Sequence, residues 1–208
     1  MKLIPNFVVL EGGDGSGTTS QISLLKDHFE KIPNPAFFPT FEPTDGQIGR
    51  LIRAALKKEI FLKPDTMAML FTADRNEHLY SQNGIIERCT RGELVVCDRY
   101  VLSSLVYQGI ECGDEVPLAL NSRFPAPELL LYFDLEPAIA FERLKSRQSH
   151  EIYEYPEFQA KVREKYLALL GIYRESGARI EVIDASKTQQ EVFSRVWSAL
   201  SKMPIFKQ

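Results

Sequence analysis

Cysteine is scarce: Cys89, Cys97 and Cys112 are the only three in 208 residues. No C-x-x-C spacing joins them and their number is odd, which argues against a disulfide framework or a thiolate metal site. Reduced thiols in a cytoplasmic protein are the simplest expectation. Long apolar runs are missing too. No stretch approaches the roughly 20 residues that cross a bilayer. The opening "MKLIPNFVVLEGG" is broken by Pro5 and Asn6 with no small-residue cleavage site behind it, so it reads as a first strand. A basic excess is also absent: the net charge is -3, whereas a general nucleic-acid binder needs a basic surface to displace condensed counterions. Neither nucleic acid nor membrane is therefore expected as a partner. With no repeat, low-complexity tract or Gly/Ser linker, one domain is expected over residues 1–208.

What is present is the balance of an ordinary globular chain, 44% hydrophobic and 25% charged, long enough to bury a substantial core. Short β-branched or aromatic runs alternate with stretches of helical period, the pattern of a parallel sheet with crossover helices. The strand candidates are "FVVLE" from Phe7, "AFFPTF" from Ala36, "ELVVCD" from Glu93, "LLLYFDL" from Leu129 and "RIEVID" from Arg179. Most lack polar alternation, as strands buried on both faces should. Pro39 marks the second as an edge. Helical spacing follows Gly17, Asp45, Pro64, Tyr100, Pro137, Pro156 and Thr188. The polar stretch "RQSHEIYEYPE", Arg147 to Glu157, lies between two helical segments and reads as a mobile lid, spanning about residues 145–157.

The segment "EGGDGSGTTSQ" carries the chemistry. Gly12 and Gly17 fit G-x-x-x-x-G, with Gly13, Asp14, Gly15 and Ser16 between them. Such glycines let backbone N–H groups converge on phosphate oxygens, and the following helix adds the positive end of its dipole. The usual motif continues with lysine and then Ser or Thr; here those positions are Thr18 and Thr19. Thr19 retains the hydroxyl that ligates magnesium, but Thr18 brings no charge. A preorganised transition-state donor is commonly worth about 3 to 4 kcal/mol, so another cation must reach the same oxygens for catalysis to survive.

Further along, "VVCDRYVLSSLVYQG" puts Asp98 and Arg99 at the carboxyl end of a buried strand, where open parallel sheets bind ligands. Asp98 is suited to hold magnesium through water and Arg99 to grip a second phosphate. With "FVVLEGGDGSG", "FEPTDGQIGRLIR", "LFTADRNEHL", "FQAKVREKYLAL" and "VIDAS" in the same order, the chain resembles the thymidylate kinases over nearly its whole length. That resemblance implies a three-layer P-loop NTPase fold with a five-stranded parallel sheet and a lid. It also implies ATP with Mg2+ as donor, dTMP as acceptor and a homodimer.

The resemblance further implies a role for each matching position. Asp14 contacts the sugar 3'-hydroxyl and helps place the acceptor phosphate. Glu42, with Pro43, stands near the acceptor; Phe41 occupies the place of an arginine found in many bacterial members. Phe71 stacks on the thymine ring and Arg75 bonds its carbonyl edge; their spacing puts both on one helical face. Ser103, Ser104, Tyr107 and Gln108 line base and sugar, with Tyr107 placed to disfavour ribonucleotides. Arg50 and Arg53 read as solvated surface. Family members carry a catalytic arginine either in the phosphate loop or in the lid; this loop has none, so Arg147, with Arg143 four residues before it, is expected to supply it. Two other readings stand beside dTMP kinase: a catalytically impaired nucleotide-binding homologue, for which the missing lysine speaks, and a kinase of another deoxynucleotide or a nucleoside.

Overall fold

The computed structural model describes residues 2–32, 34–145 and 156–207. Five parallel strands, β1 (Leu3–Gly12), β2 (Phe37–Phe41), β3 (Leu94–Asp98), β4 (Ala126–Asp134) and β5 (Arg179–Asp184), pair in the order β2-β3-β1-β4-β5. Among the described residues the helices are α1 (Thr18–Phe29), α2 (Gln47–Leu56), α3 (Pro64–Tyr80), α4 (Ile85–Thr90), α5 (Val101–Cys112), α6 (Glu115–Asn121), α7 (Pro137–Leu144), α8 (Pro156–Glu175) and α9 (Gln189–Leu200).

Successive side chains of a strand face opposite sides of the sheet, and both sides are apolar here. Val9, Val95 and Leu130 pack with Ile52 of α2, Leu79 of α3, Leu105 of α5 and Val162 of α8. Val8, Leu10, Val96 and Leu131 pack with Leu25 of α1 and Val196 of α9. A sheet covered on both faces gives the expected three layers. From β1 the chain winds out to β2, returns to β3 and crosses β1 to reach β4, so a crevice opens at the carboxyl ends of β1 and β3.

Two details differ from the sequence reading. Strand β1 begins at Leu3, not Phe7, because Pro5 and Asn6 bend it without ending it. Asn6 adopts φ 62, its N–H donates to the Glu128 carboxylate at 2.7 Å, and the register against β4 shifts between Ile4 and Val8. Helices α4 and α6, of six and seven residues, are too short to show a period. Strand β2 does lie at the edge, as Pro39 implied. All three cysteines are free; Cys89 and Cys97 are buried, and burial pushes the Cys89 thiol up to about 12, far from a reactive thiolate. No helix among the described residues is long and apolar enough to cross a membrane.

Candidate active site

The crevice holds a cavity of about 720 Å3 with the phosphate loop on one side and α2, α3 and α5 on the other. The loop forms because β1 runs straight into it and α1 starts at its end. Gly17 caps α1 in the left-handed region, φ 93, and no acidic residue occupies the first turn. The free N–H groups and positive end of α1 therefore face the cavity unopposed. Gly15 has φ +80, and a Cβ there would lie 3.0 Å from the Ala140 carbonyl oxygen of α7. Only glycine lets α7 back the loop this closely.

Thr19 points its hydroxyl at Asp98, donating to Oδ2 at 2.6 Å. Its lone pairs stay available to a cation, and Asp98 Oδ1 is buried without a hydrogen-bond partner. An all-oxygen pair with an orphaned carboxylate atom suits magnesium.

Opposite the loop, Arg99 leaves β3 with φ 68, a conformation rare outside glycine. That turn sends its guanidinium back to β1: it donates to the Gly12 carbonyl at 3.0 Å and to Asp14 Oδ1 at 2.6 Å, with Tyr107 beneath it at 5.1 Å. Arg99 and the N-terminus of α1 thus line the same cavity, which brings two anion-seeking groups to it.

Behind Arg99 lies a buried carboxylate, Glu11. It accepts from the Tyr100 N–H at 3.0 Å and takes hydrogen bonds from the Ser103 and Tyr166 hydroxyls at 2.6 and 3.0 Å. Burial raises it from its ordinary value near 4.5, outweighing these hydrogen bonds and the Arg99 charge. The folded state then keeps this proton to higher pH than the unfolded chain, so the stability it contributes is complete below the unfolded value and is lost as pH rises through the folded one. Glu11→Gln is expected to flatten the fall in stability as pH rises above about 4.5, the ordinary carboxylate value. Thermal unfolding across that range checks it, and parallel curves for the two proteins would overturn it.

The cavity wall formed by α3 and α5 is built on Arg75, which is 1% exposed. Its Nε donates to Glu42 at 2.9 Å, Nη1 to the Asn121 carbonyl oxygen, and Nη2 to the Tyr100 carbonyl at 3.0 Å and the Ser104 hydroxyl at 3.1 Å. His78, one turn along α3, lies 3.1 Å from the other Glu42 oxygen through Nδ1 and 2.6 Å from the Thr40 hydroxyl through Nε2. Ligand atoms of Glu42, His78 and Cys97 fall within 4.8 Å of one another. They form a hydrogen-bonded wall and not a metal centre, because Glu42 is committed to Arg75, and burial pushes the Cys97 thiol far up.

Of the residues singled out from sequence, Gly13, Asp14, Gly15, Ser16, Gly17, Thr18, Thr19, Glu42, Phe71, Arg75, Asp98, Arg99, Ser103, Ser104, Tyr107 and Gln108 all line the one cavity. Gly12 sits just behind it, under Arg99. Arg143 does not line it: it stands behind the loop, reaching the Gly15 carbonyl at 3.4 Å and that of Ala185 at 2.9 Å. Arg147 lies outside the described residues. Arg53, read as solvated surface, instead enters the cavity, donating to the Pro43 carbonyl and lying 5.2 Å over the Phe41 ring. Helix α2 is short and packs on α3, which turns Arg53 inward; Arg50 stays outside on the Asp45 carbonyl. Glu11, His78, Asn121 and Gln159 were not singled out. An acidic residue ending an apolar strand was a usable signal for Glu11; no local pattern marks the other three.

A glycine loop leading into a helix N-terminus, with an arginine, an Asp-Thr pair and an aromatic residue, Phe71, lining the same cavity, defines a P-loop protein of the phosphoryl-transfer class. Residues 10–196 match the family model described as thymidylate kinase, and the chain belongs to that family. A relative from Treponema pallidum (strain Nichols) is 40% identical over 94% of this chain and 95% of its own. One from Pyrobaculum aerophilum is 39% identical over 97% and 99%, and one from Ligilactobacillus salivarius 34% identical over 94% and 97%. Each carries thymidylate kinase in its name.

Proposed function

We propose that the chain transfers the γ-phosphoryl group of ATP to dTMP, giving dTDP and ADP. The supporting observation is that the Arg99 guanidinium and the α1 N-terminus, with no acidic residue in its first turn, line one cavity. The loop from Gly12 to Thr19 binds the donor phosphates. Arg99, with Arg53 at the mouth, holds the acceptor phosphate. Phe71 and the Arg75 wall receive the base, and Asp14 the sugar. Thr19 and Asp98 would hold magnesium, which when bound neutralises charge on the donor phosphates. One acceptor phosphate oxygen forms the new bond to the γ-phosphorus as the bond to the β–γ bridging oxygen breaks, so catalysis consists of alignment and charge stabilisation.

The charge missing at Thr18 is assigned to Arg147, three residues past the end of α7 in the sequence, while Arg143 braces the loop and does not reach the cavity. A homodimer is also proposed: Leu51, Met69 and Leu118 on α2, α3 and α6, which pack together, remain exposed. Free cysteines fit a cytoplasmic protein.

Phosphoryl transfer from magnesium ATP to dTMP, measured beside Thr18→Lys, tests the reading. We expect wild type to turn over at an ordinary kinase rate, about 1–100 per second, and lysine to change it less than about threefold. A wild type that binds dTMP by calorimetry yet is silent would leave a nucleotide-binding homologue. Turnover with other monophosphates but not dTMP would leave a different acceptor.

A further inference from the structure

Asp14 sits at the seam between the phosphate loop and the acceptor side, and both its carboxylate oxygens are held. Arg99 takes Oδ1 at 2.6 Å, while Oδ2 accepts from Gln159 Nε2 at 2.8 Å. The same amide turns its Oε1 to the Asp14 backbone N–H at 3.0 Å. One side chain therefore grips both the backbone and the carboxylate of Asp14, which needs a donor and an acceptor on a single planar group; an amide offers both without charge at any pH.

The surroundings are shaped for this grip. Gly13 leaves room for it, since a Cβ there would lie 2.9 Å from Gln159 Oε1. Gln159 is 5% exposed and does not line the cavity, so its effect on a ligand passes through the cavity-lining residues it touches, Asp14 and Tyr107. It is also rigidly mounted: along the same face of α8, Val162 is fully buried and Tyr166 is bonded to Glu11 and Ser103. On the other side of Asp14, the Arg99 guanidinium rests over the Tyr107 ring.

We propose that Gln159 is a positioning residue that sets the orientation of the Asp14 carboxylate and with it the alignment of the acceptor nucleotide. This rests on the dTMP kinase reading above. With the clamp lost, the carboxylate rotates about Arg99, and the acceptor side of the cavity loosens while the donor phosphates keep their backbone N–H cradle.

Gln159→Leu, Gln159→Glu and wild type, compared in steady-state kinetics and by calorimetric dTMP binding, form the test. For leucine we expect the KM and Kd for dTMP to rise about tenfold while the KM for ATP moves less than about twofold. For glutamate the dTMP defect is expected to shrink as pH falls, because a carboxyl that takes up a proton again offers one donor and one acceptor. The titratable groups facing that position are Asp14, Arg99, Tyr107, Tyr132 of β4 and, one turn along α8, Arg163; the leucine variant, which keeps all five, serves as the control and should lack that pH trend. In an Asp14→Asn background the leucine change should add less than about twofold, because the two residues act as one unit. The inference is overturned if dTMP and ATP constants rise together with a falling Tm, if the glutamate defect is flat in pH, or if neither variant differs from an active wild type. A wild type that neither binds nor phosphorylates dTMP overturns the functional reading itself, which the wild-type arm alone reveals.

Discussion

Arg75→Met is expected to cost about 3–5 kcal/mol of folding stability, a fall of roughly 10 °C or more in Tm for a chain of this size. The guanidinium is 1% exposed and its ion-pair partner Glu42 2%. Methionine fills much of the volume but leaves a carboxylate buried with only His78 beside it, and Asn121, Ser104 and the Tyr100 carbonyl lose a donor together. An unpaired buried charge is far costlier than the pair was ever worth. Adding Glu42→Gln to Arg75→Met should therefore restore a substantial part of the loss. Differential scanning calorimetry of the two variants decides this; a double variant no more stable than the single would show that packing against Tyr100 and Phe124, and not the ion pair, is what Arg75 contributes.

Arg99→Ala should leave the fold standing but lower turnover by about a thousandfold, with the KM for ATP nearly unchanged. Arg99 carries a cationic fork that reaches the loop carbonyl of Gly12 and the Asp14 carboxylate and lines the cavity. Lysine keeps the charge without the fork, so Arg99→Lys should recover only part of the rate. The backbone supports a functional reading of this residue. A non-glycine residue at φ 68 carries strain of about 1–3 kcal/mol, and such strain persists where the surroundings hold it in place for a purpose. Turnover of the alanine variant within about threefold of wild type would remove Arg99 from the reacting centre.

The elements that were legible in the sequence are those whose cause is local. The alternation of apolar strands and helical segments, the glycines of the loop and the edge strand marked by Pro39 all follow from a few neighbouring residues. The start of β1 at Leu3 and not Phe7 was missed because Asn6 makes the bend tolerable through Glu128, a partner 122 residues away. Helix α6 was missed because it is short, although it delivers Asn121 to Arg75.

By itself the sequence determined the class of chemistry: a phosphate loop whose glycines require its backbone path, an Asp-Arg pair ending a buried strand, and a set of motifs belonging to one kinase family. Residue type and spacing suffice there, because φ freedom and helical period act within a turn or two. Which side chains meet was decided by the tertiary structure alone. The sheet order β2-β3-β1-β4-β5 brings β1 and β3 side by side. That places Arg99 on Asp14, turns Arg53 inward while Arg143 stays behind the loop, and lets Gln159 close on Asp14 across 145 residues of chain. These contacts depend on packing between distant elements, and distance along the chain leaves no local pattern to read.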